Sequence, residues 1–187
     1  MKKYRTILAD PPWATGLTGL QQTRNFKPSK LIYPTMPIAD IKALPIGDLA
    51  EEGCHLWLWV TNSHLRAGFD VMSAWGFKYL APITCVKPSG LGNWFVHRTI
   101  HILFGYRGKC QFNLARWKPT VLFIPTPTKH SRKPEEGYQL IESISDAPRL
   151  ELFARKKREG WDSVGLDIDG CDVMSTYLRM LRESLEQ

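Results

Sequence analysis

Asp10-Pro11-Pro12-Trp13, immediately after the apolar run Ile7-Leu8-Ala9, places an acid, two prolines and an indole at the end of a predicted strand. Prolines fix φ and donate no backbone hydrogen bond, so the segment is expected to be a stiff turn with outward-facing carbonyls. A carboxylate beside a carbonyl makes a pair of acceptors, suited to a group that offers two N–H donors. Trp13 adds a π face on which a flat base can stack, worth roughly 1–3 kcal/mol per base. Together the four residues could grip the exocyclic amine of a base. The alternative is a Pro-Pro turn closed by a core tryptophan.

Charge is distributed unevenly. The 18 acidic residues stop at Asp70 and resume at Glu135. The intervening segment carries ten Lys or Arg residues, among them Lys87, Arg98 and Lys133, together with His97, His101 and His130. Trp94, Phe95, Phe104, Tyr106, Phe112 and Trp117 are interleaved with them. Cations for phosphates and rings for bases are what a nucleic-acid groove needs; the alternative is a solvated basic face whose aromatics belong to the core.

The elements that must position these residues follow from pattern. Tyr4–Ala9 is predicted as a strand delivering Asp10, and Ala14–Thr35 as a long loop. Short helical turns are expected within Asp40–Ala50, then a strand buried on both faces over Cys54–Val60. Asn62 or Ser63 is placed as the cap of a helix reaching about Trp75. Lys78–Val86 is a strand, Lys87–Arg98 a glycine-containing loop, and Thr99–Arg107 and Thr120–Pro125 further strands. Pro134 opens a helix to about Ser145; Arg149–Phe153 is a strand and Val173–Leu185 a terminal amphipathic helix. Strands alternating with helices define an α/β class with a mostly parallel central sheet flanked by helices. Ligands of such sheets bind beyond the carboxyl ends of the strands, where Asp10, the loop after Val60, Lys87, the loop after Pro125 and Arg155 are expected to gather.

With 187 residues the chain is expected to be a single domain, residues 1–187. It has no apolar run of membrane-spanning length, and its basic start is followed by too few apolar residues for a signal peptide. Cys54, Cys85, Cys110 and Cys171 are scattered without a C-x-x-C pair. Reduced thiols, a cytoplasmic location and no metal site are the expectation.

ADPPW, Tyr33-Pro34-Thr35-Met36, Leu56-Trp57-Leu58-Trp59-Val60-Thr61, His130-Ser131-Arg132-Lys133-Pro134-Glu135 and Glu151-Leu152-Phe153-Ala154-Arg155 occur in that order. In these segments the chain resembles the DPPW-type adenine amino-methyltransferases, the family of the eukaryotic messenger-RNA adenosine methyltransferases and of bacterial and phage DNA relatives. The likeness runs from about residue 5 to 170. It implies a Rossmann-like methyltransferase fold with permuted motif order, the catalytic motif preceding the strand that carries much of the cofactor site. Asp10 does precede Arg149–Phe153, and no G-x-G-x-x-G dinucleotide fingerprint exists in the chain.

The resemblance further implies transfer of a methyl group from S-adenosylmethionine to the 6-amino group of adenine. Asp10 and the Pro11 carbonyl would hold the two N–H groups, with Pro12 and Trp13 completing the catalytic turn and Trp13 and Tyr33 enclosing the base. Lys133 would lie by the cofactor's methionine carboxylate and Arg155 by its ribose, with His130 and Ser131 in the same loop as Lys133. The family often has an Asn-Gln cofactor pair after Trp161; this chain has Leu166-Asp167, where Asp167 could accept from ribose hydroxyls. Lys87, Asn93, Trp94, His97 and Arg98 are assigned to substrate. DNA is preferred over RNA because neither a zinc finger nor a separate target-recognition domain is present, a pattern like that of a bacterial or phage enzyme. Other readings are RNA adenosine as substrate, a non-catalytic nucleic-acid-binding subunit, a cytosine amine or a small-molecule amine. Retention of Asp10 weighs against the non-catalytic subunit. No membrane partner is expected, and a homodimer or a partner subunit stays open.

Overall fold

The computed structural model describes residues 2–14, 34–91, 94–112, 117–125 and 133–186. Its strands are β1 (Tyr4–Ala9), β2 (Ala50–Val60), β3 (Lys78–Leu91), β4 (His97–Tyr106), β5 (Val121–Phe123), β6 (Arg149–Leu152) and β7 (Asp162–Val164). They form one sheet in the spatial order β5-β3-β4-β2-β1-β6-β7. β1 is parallel to β2 and β6, β6 to β7, and β3 to β5. β4 alone is antiparallel, to both β2 and β3. Six strands therefore share one direction, and the sheet is mostly parallel as expected.

Helices cover both faces: α1 (Ile38–Ala43), α2 (Leu65–Ala74), α3 (Glu135–Glu142), α4 (Leu166–Asp169) and α5 (Val173–Leu185), with 3-10 turns at Ile46–Leu49 and Asn62–His64. In β2, Leu56, Leu58 and Val60 enter one core with Ile7, Ala9, Ile41 of α1, Val71 of α2 and Val173 of α5. Trp57 and Trp59 enter the other with Leu8, Ile102 and the α3 residues Tyr138 and Ile141. Strands covered on both sides need apolar residues at successive positions, which explains the unbroken run Leu56–Val60. Among the described residues no helix is long and apolar enough to cross a membrane, and no His/Cys/Asp/Glu cluster could hold a metal ion. All four cysteines are free, and burial pushes the Cys54 and Cys85 thiols up to about 12.

Three expectations are corrected. Lys87–Arg98 is not a loop: β3 continues to Leu91 and pairs there with His97, so the segment is a β-hairpin arm. Its glycines marked it as a loop, but the two strands extend past the sheet and pair again at Leu91 and His97. Neither Asn62 nor Ser63 caps a helix, because residues 62–64 form a 3-10 turn and α2 begins at Leu65 without a side-chain cap. The Asn62 amide is engaged by β4, donating to the Thr99 carbonyl at 3.2 Å. β7 and α4 were not expected; each is short, and Asp162, Ser163 and Asp167 break any apolar pattern.

α2 lies close on the sheet because Gly68 has no Cβ. One there would come within 2.6 Å of Val60 Cγ1 and 3.0 Å of Leu103 Cδ1. Gly68→Ala is expected to destabilise by about 1–3 kcal/mol through overpacking. That outweighs the roughly 1 kcal/mol by which alanine favours a helix over glycine. The expected result is a lower urea midpoint with an unchanged slope; an unchanged midpoint would show that this contact does not set the spacing.

Candidate active site

The chain leaves β1 for β2 on one side and holds β6 and β7 on the other, so β1 and β6 bound a cleft where the winding reverses. Such a reversal opens a crevice at the carboxyl edge of the sheet. A cavity of about 280 Å³ occupies it, with Asp10 and Pro12 from the end of β1 and Arg155 from beyond β6. Phe153, Leu166 and Val173 supply apolar walls and Asp167 a second carboxylate. Phe153 adopts φ 61°, a left-handed conformation at the point where the chain turns out of β6. The sequence-predicted residues Asp10, Pro12, Arg155 and Asp167 thus share one cavity, although they come from both ends of the chain.

The Asp10–Trp13 turn is tightly held. Trp13 N–H donates to the Pro11 carbonyl at 2.8 Å, and Met36 N–H to the Pro12 carbonyl at 2.8 Å. Both carbonyls, expected to face outward, thus already accept a backbone bond, and each keeps its second lone pair. Trp13 is also corrected. Its ring is only 7% exposed, stacks on His64 at 5.4 Å between centroids, and donates from Nε1 to the Trp59 carbonyl at 3.0 Å. The indole is an anchor that fixes the turn to the end of β2, not an open platform for a base. His64, which sequence reasoning did not single out, completes the brace with Nδ1 2.7 Å from Thr61 Oγ1 and Nε2 3.2 Å from the Ala14 carbonyl.

Lys133, just before α3, reaches across to Asp10, with Nζ 2.7 Å from Oδ2. Both side chains are about three-quarters buried, and the ammonium also lies 4.8 Å from the centroid of the Trp59 ring. Below this pair, Glu151 of β6 is buried and accepts from Tyr138 Oη at 2.7 Å. Its other oxygen, Oε2, is buried with no partner among the described residues, as is Oγ of Ser163, opposite it in β7. Burial pushes the Glu151 carboxyl above the ordinary range; the Tyr138 bond opposes this and the Asp10 charge adds to it. Glu151 was visible only as part of the motif Glu151–Arg155.

Of the residues assigned to substrate, Lys87, Trp94, His97 and Arg98 lie together on the β3–β4 arm at the same sheet edge as Asp10. Asn62 Nδ2 is 3.2 Å from His97 Nδ1, and Arg98 Nε donates to the Lys87 carbonyl at 3.0 Å. Tyr33, Asn93, His130 and Ser131 lie outside the described residues.

A doubly wound α/β domain with an acid-headed Pro-Pro turn at its reversal point is a Rossmann-like ligand-binding fold. The chain belongs to the MT-A70 family, whose model matches residues 4–167. It is 30% identical over 188 residues to an N(6)-adenosine-methyltransferase MT-A70-like protein of Arabidopsis thaliana, covering 94% of this chain and 25% of that protein. It is 29% identical to the human N(6)-adenosine-methyltransferase catalytic subunit METTL3, over 92% of this chain and 29% of that protein. With the type II methyltransferase M.MunI of Mycoplasma sp it shares 27% identity, over 89% of this chain and 78% of the relative. The chain therefore spans under a third of the two N(6)-adenosine-methyltransferases and most of M.MunI.

Glu151 offers a test of the polar floor. A carboxyl whose folded pKa is raised contributes its full stability below the unfolded pKa and loses it as pH rises through the folded value. Glu151→Gln keeps an acceptor for Tyr138 and removes the ionisation. The variant is expected to be more stable than the wild type near neutral pH, with the difference vanishing by about pH 4. A variant less stable at both pH values would show that the shape and hydrogen bonding of the carboxyl group outweigh the cost of burying its charge.

Proposed function

We propose that the chain is an S-adenosylmethionine-dependent methyltransferase acting on the 6-amino group of adenine in DNA. The observation that carries this reading is Asp10 in the lining of the β1–β6 cavity, its carboxylate paired with Lys133 at 2.7 Å. Membership of the MT-A70 family, with its relatives named N(6)-adenosine-methyltransferases, supports the chemistry. The choice of DNA in this reading follows the likeness to the type II methyltransferase M.MunI, of whose length the chain covers 78%.

The cavity fits the cofactor. Its apolar walls suit an adenosine ring, its acids a sulfonium and an amino group, and Arg155 a hydroxyl or carboxylate oxygen. S-adenosylmethionine, when bound, supplies a methyl group on a cationic sulfur. Arg155 and Asp167 would hold its sugar end, and Lys133 would reach its carboxylate.

The protein's own work is positional. An adenine amine is a weak nucleophile because its lone pair is delocalised into the ring. Asp10 accepts one N–H and the second lone pair of the Pro11 carbonyl accepts the other, which favours a pyramidal nitrogen with an available lone pair. Trp13 and His64 keep these acceptors fixed, so little reorganisation remains when the amine arrives. Lys133 orients the Asp10 carboxylate. In duplex DNA the adenine must first leave the stack to reach the cavity. A cytoplasmic location accords with the free cysteines.

Asp10→Asn keeps the turn and removes the charge paired with Lys133. Transfer of labelled methyl to adenine-containing DNA is expected to fall by about a hundred- to a thousandfold, the range for loss of one preorganised polar group. Cofactor affinity should stay within a few-fold of the wild type. A variant that methylates at a near wild-type rate would remove Asp10 from the chemistry. Matched DNA and RNA oligonucleotides, with and without adenine, separate the substrates: label only on RNA would keep the mechanism and overturn DNA. Label on adenine-free oligonucleotides would overturn the base assignment.

A further inference from the structure

The β3–β4 arm carries three consecutive exposed apolar side chains at its end: Trp94 is 81% exposed, Phe95 79% and Val96 63%. Rings this open are costly to leave in water unless a partner covers them. The stem beneath them is stiffened. Asn62 donates to the Thr99 carbonyl at 3.2 Å and its Oδ1 lies 2.9 Å from His101 Nε2, which binds β4 to the turn after β2. Arg98 is tied to the Lys87 carbonyl across the arm at 3.0 Å.

Topology sets where the arm's end stands. β4 pairs with β2 up to His101 opposite Val60 and continues outward through Ile100–His97. With a rise of about 3.3 Å per residue, His97 stands roughly 13 Å beyond the level of Val60, and the aromatic end continues from it. Only β2 separates β4 from β1, a lateral offset of about 10 Å. The rings therefore stand beyond the same sheet edge as Asp10. Charge then selects the occupant. No carboxylate occurs between Val71 and Pro134, and Lys87, His97 and Arg98 flank the rings, so the arm is complementary to a polyanion.

The geometry points to the Trp94-Phe95 end of this arm as a wedge that enters a base stack and occupies the space vacated when the target adenine turns out towards Asp10. The occupant is duplex DNA. Aromatic and apolar side chains can unstack a step, and filling the gap offsets the cost of extruding a paired base. This inference rests on the methyl-transfer reading.

The test compares Trp94→Ala and Trp94→Phe with the wild type on three substrates sharing one target adenine: fully paired, opposite an abasic site, and single-stranded. Trp94→Ala is expected to slow methylation of the paired duplex by about tenfold, the loss of one stacked ring. Rates on the other two, where no partner base holds the adenine, should change by less than about twofold. Trp94→Phe should restore most of the duplex rate. In parallel, 2-aminopurine at the target position of a duplex should brighten on binding the wild type and not Trp94→Ala, a readout that needs no methyl transfer. The wedge is overturned by equal losses on all three substrates, by no loss on any, or by a wild type that acts on single strands alone. It is also overturned if Trp94→Ala dissociates a dimer, which would make the arm a protein interface. Brightening without methylation by the wild type would sustain the wedge while the methyl-transfer reading failed. Methylation unaffected by Trp94→Ala would do the reverse.

Discussion

Everything in the cavity depends on β1 lying between two parallel neighbours that lead the chain in opposite directions. Parallel pairing with β2 and β6 puts the carboxyl ends of all three strands on one edge. Reversal of the winding there prevents any crossover from closing the gap above β1. Asp10 emerges into that gap from one side and Arg155 from the other, so residues distant in sequence meet without a dedicated loop to bring them together. The same parallel core demands apolar side chains on both faces of β1 and β2, and β4 is the one strand free to run backwards and carry the aromatic arm.

Within the gap, the turn after β1 is held by bonds that do not involve its acid. Trp13 is committed to the Trp59 carbonyl and to the face of His64, and the two proline carbonyls to Trp13 and Met36. Rigidity at an acceptor pair is what positional catalysis needs, because the groups must not relax when a weak nucleophile arrives. Asp10 itself is left to face Lys133 and the cavity. The buried Glu151–Tyr138 pair lies beneath, giving the site a polar floor.

Legibility in the sequence followed the physics of each element. β1 and α5 have the predicted limits because a short apolar run ending at an acid, and a long amphipathic repeat, are unambiguous local signals. The arm was misread because Pro88, Gly90 and the neighbouring glycine are turn formers, while the pairing that makes the segment β-structure comes from its own return strand. β7 escaped notice because three residues in half-buried surroundings carry no periodicity. Of the residues singled out in the sequence, Asp10, Arg155 and Asp167 line one cavity; Asp10 was legible because it directly follows the apolar run of β1. Trp13 was given a stacking role on residue type and resemblance, with a core tryptophan as the alternative; its burial depends on His64 and Trp59, which no local pattern connects to it. The Lys133–Asp10 contact was equally invisible, being set by where α3 begins rather than by spacing.

On the proposed function the β1–β6 cavity holds the methyl donor with its reactive end at Asp10. A crystal structure of the protein with S-adenosylmethionine is the decisive test. The expected result is cofactor in the cavity against Phe153 and Val173, its ribose at Arg155 or Asp167 and its sulfonium facing the Asp10–Trp13 turn. Cofactor density elsewhere, or in the cavity with the sulfonium turned away from Asp10, would contradict it.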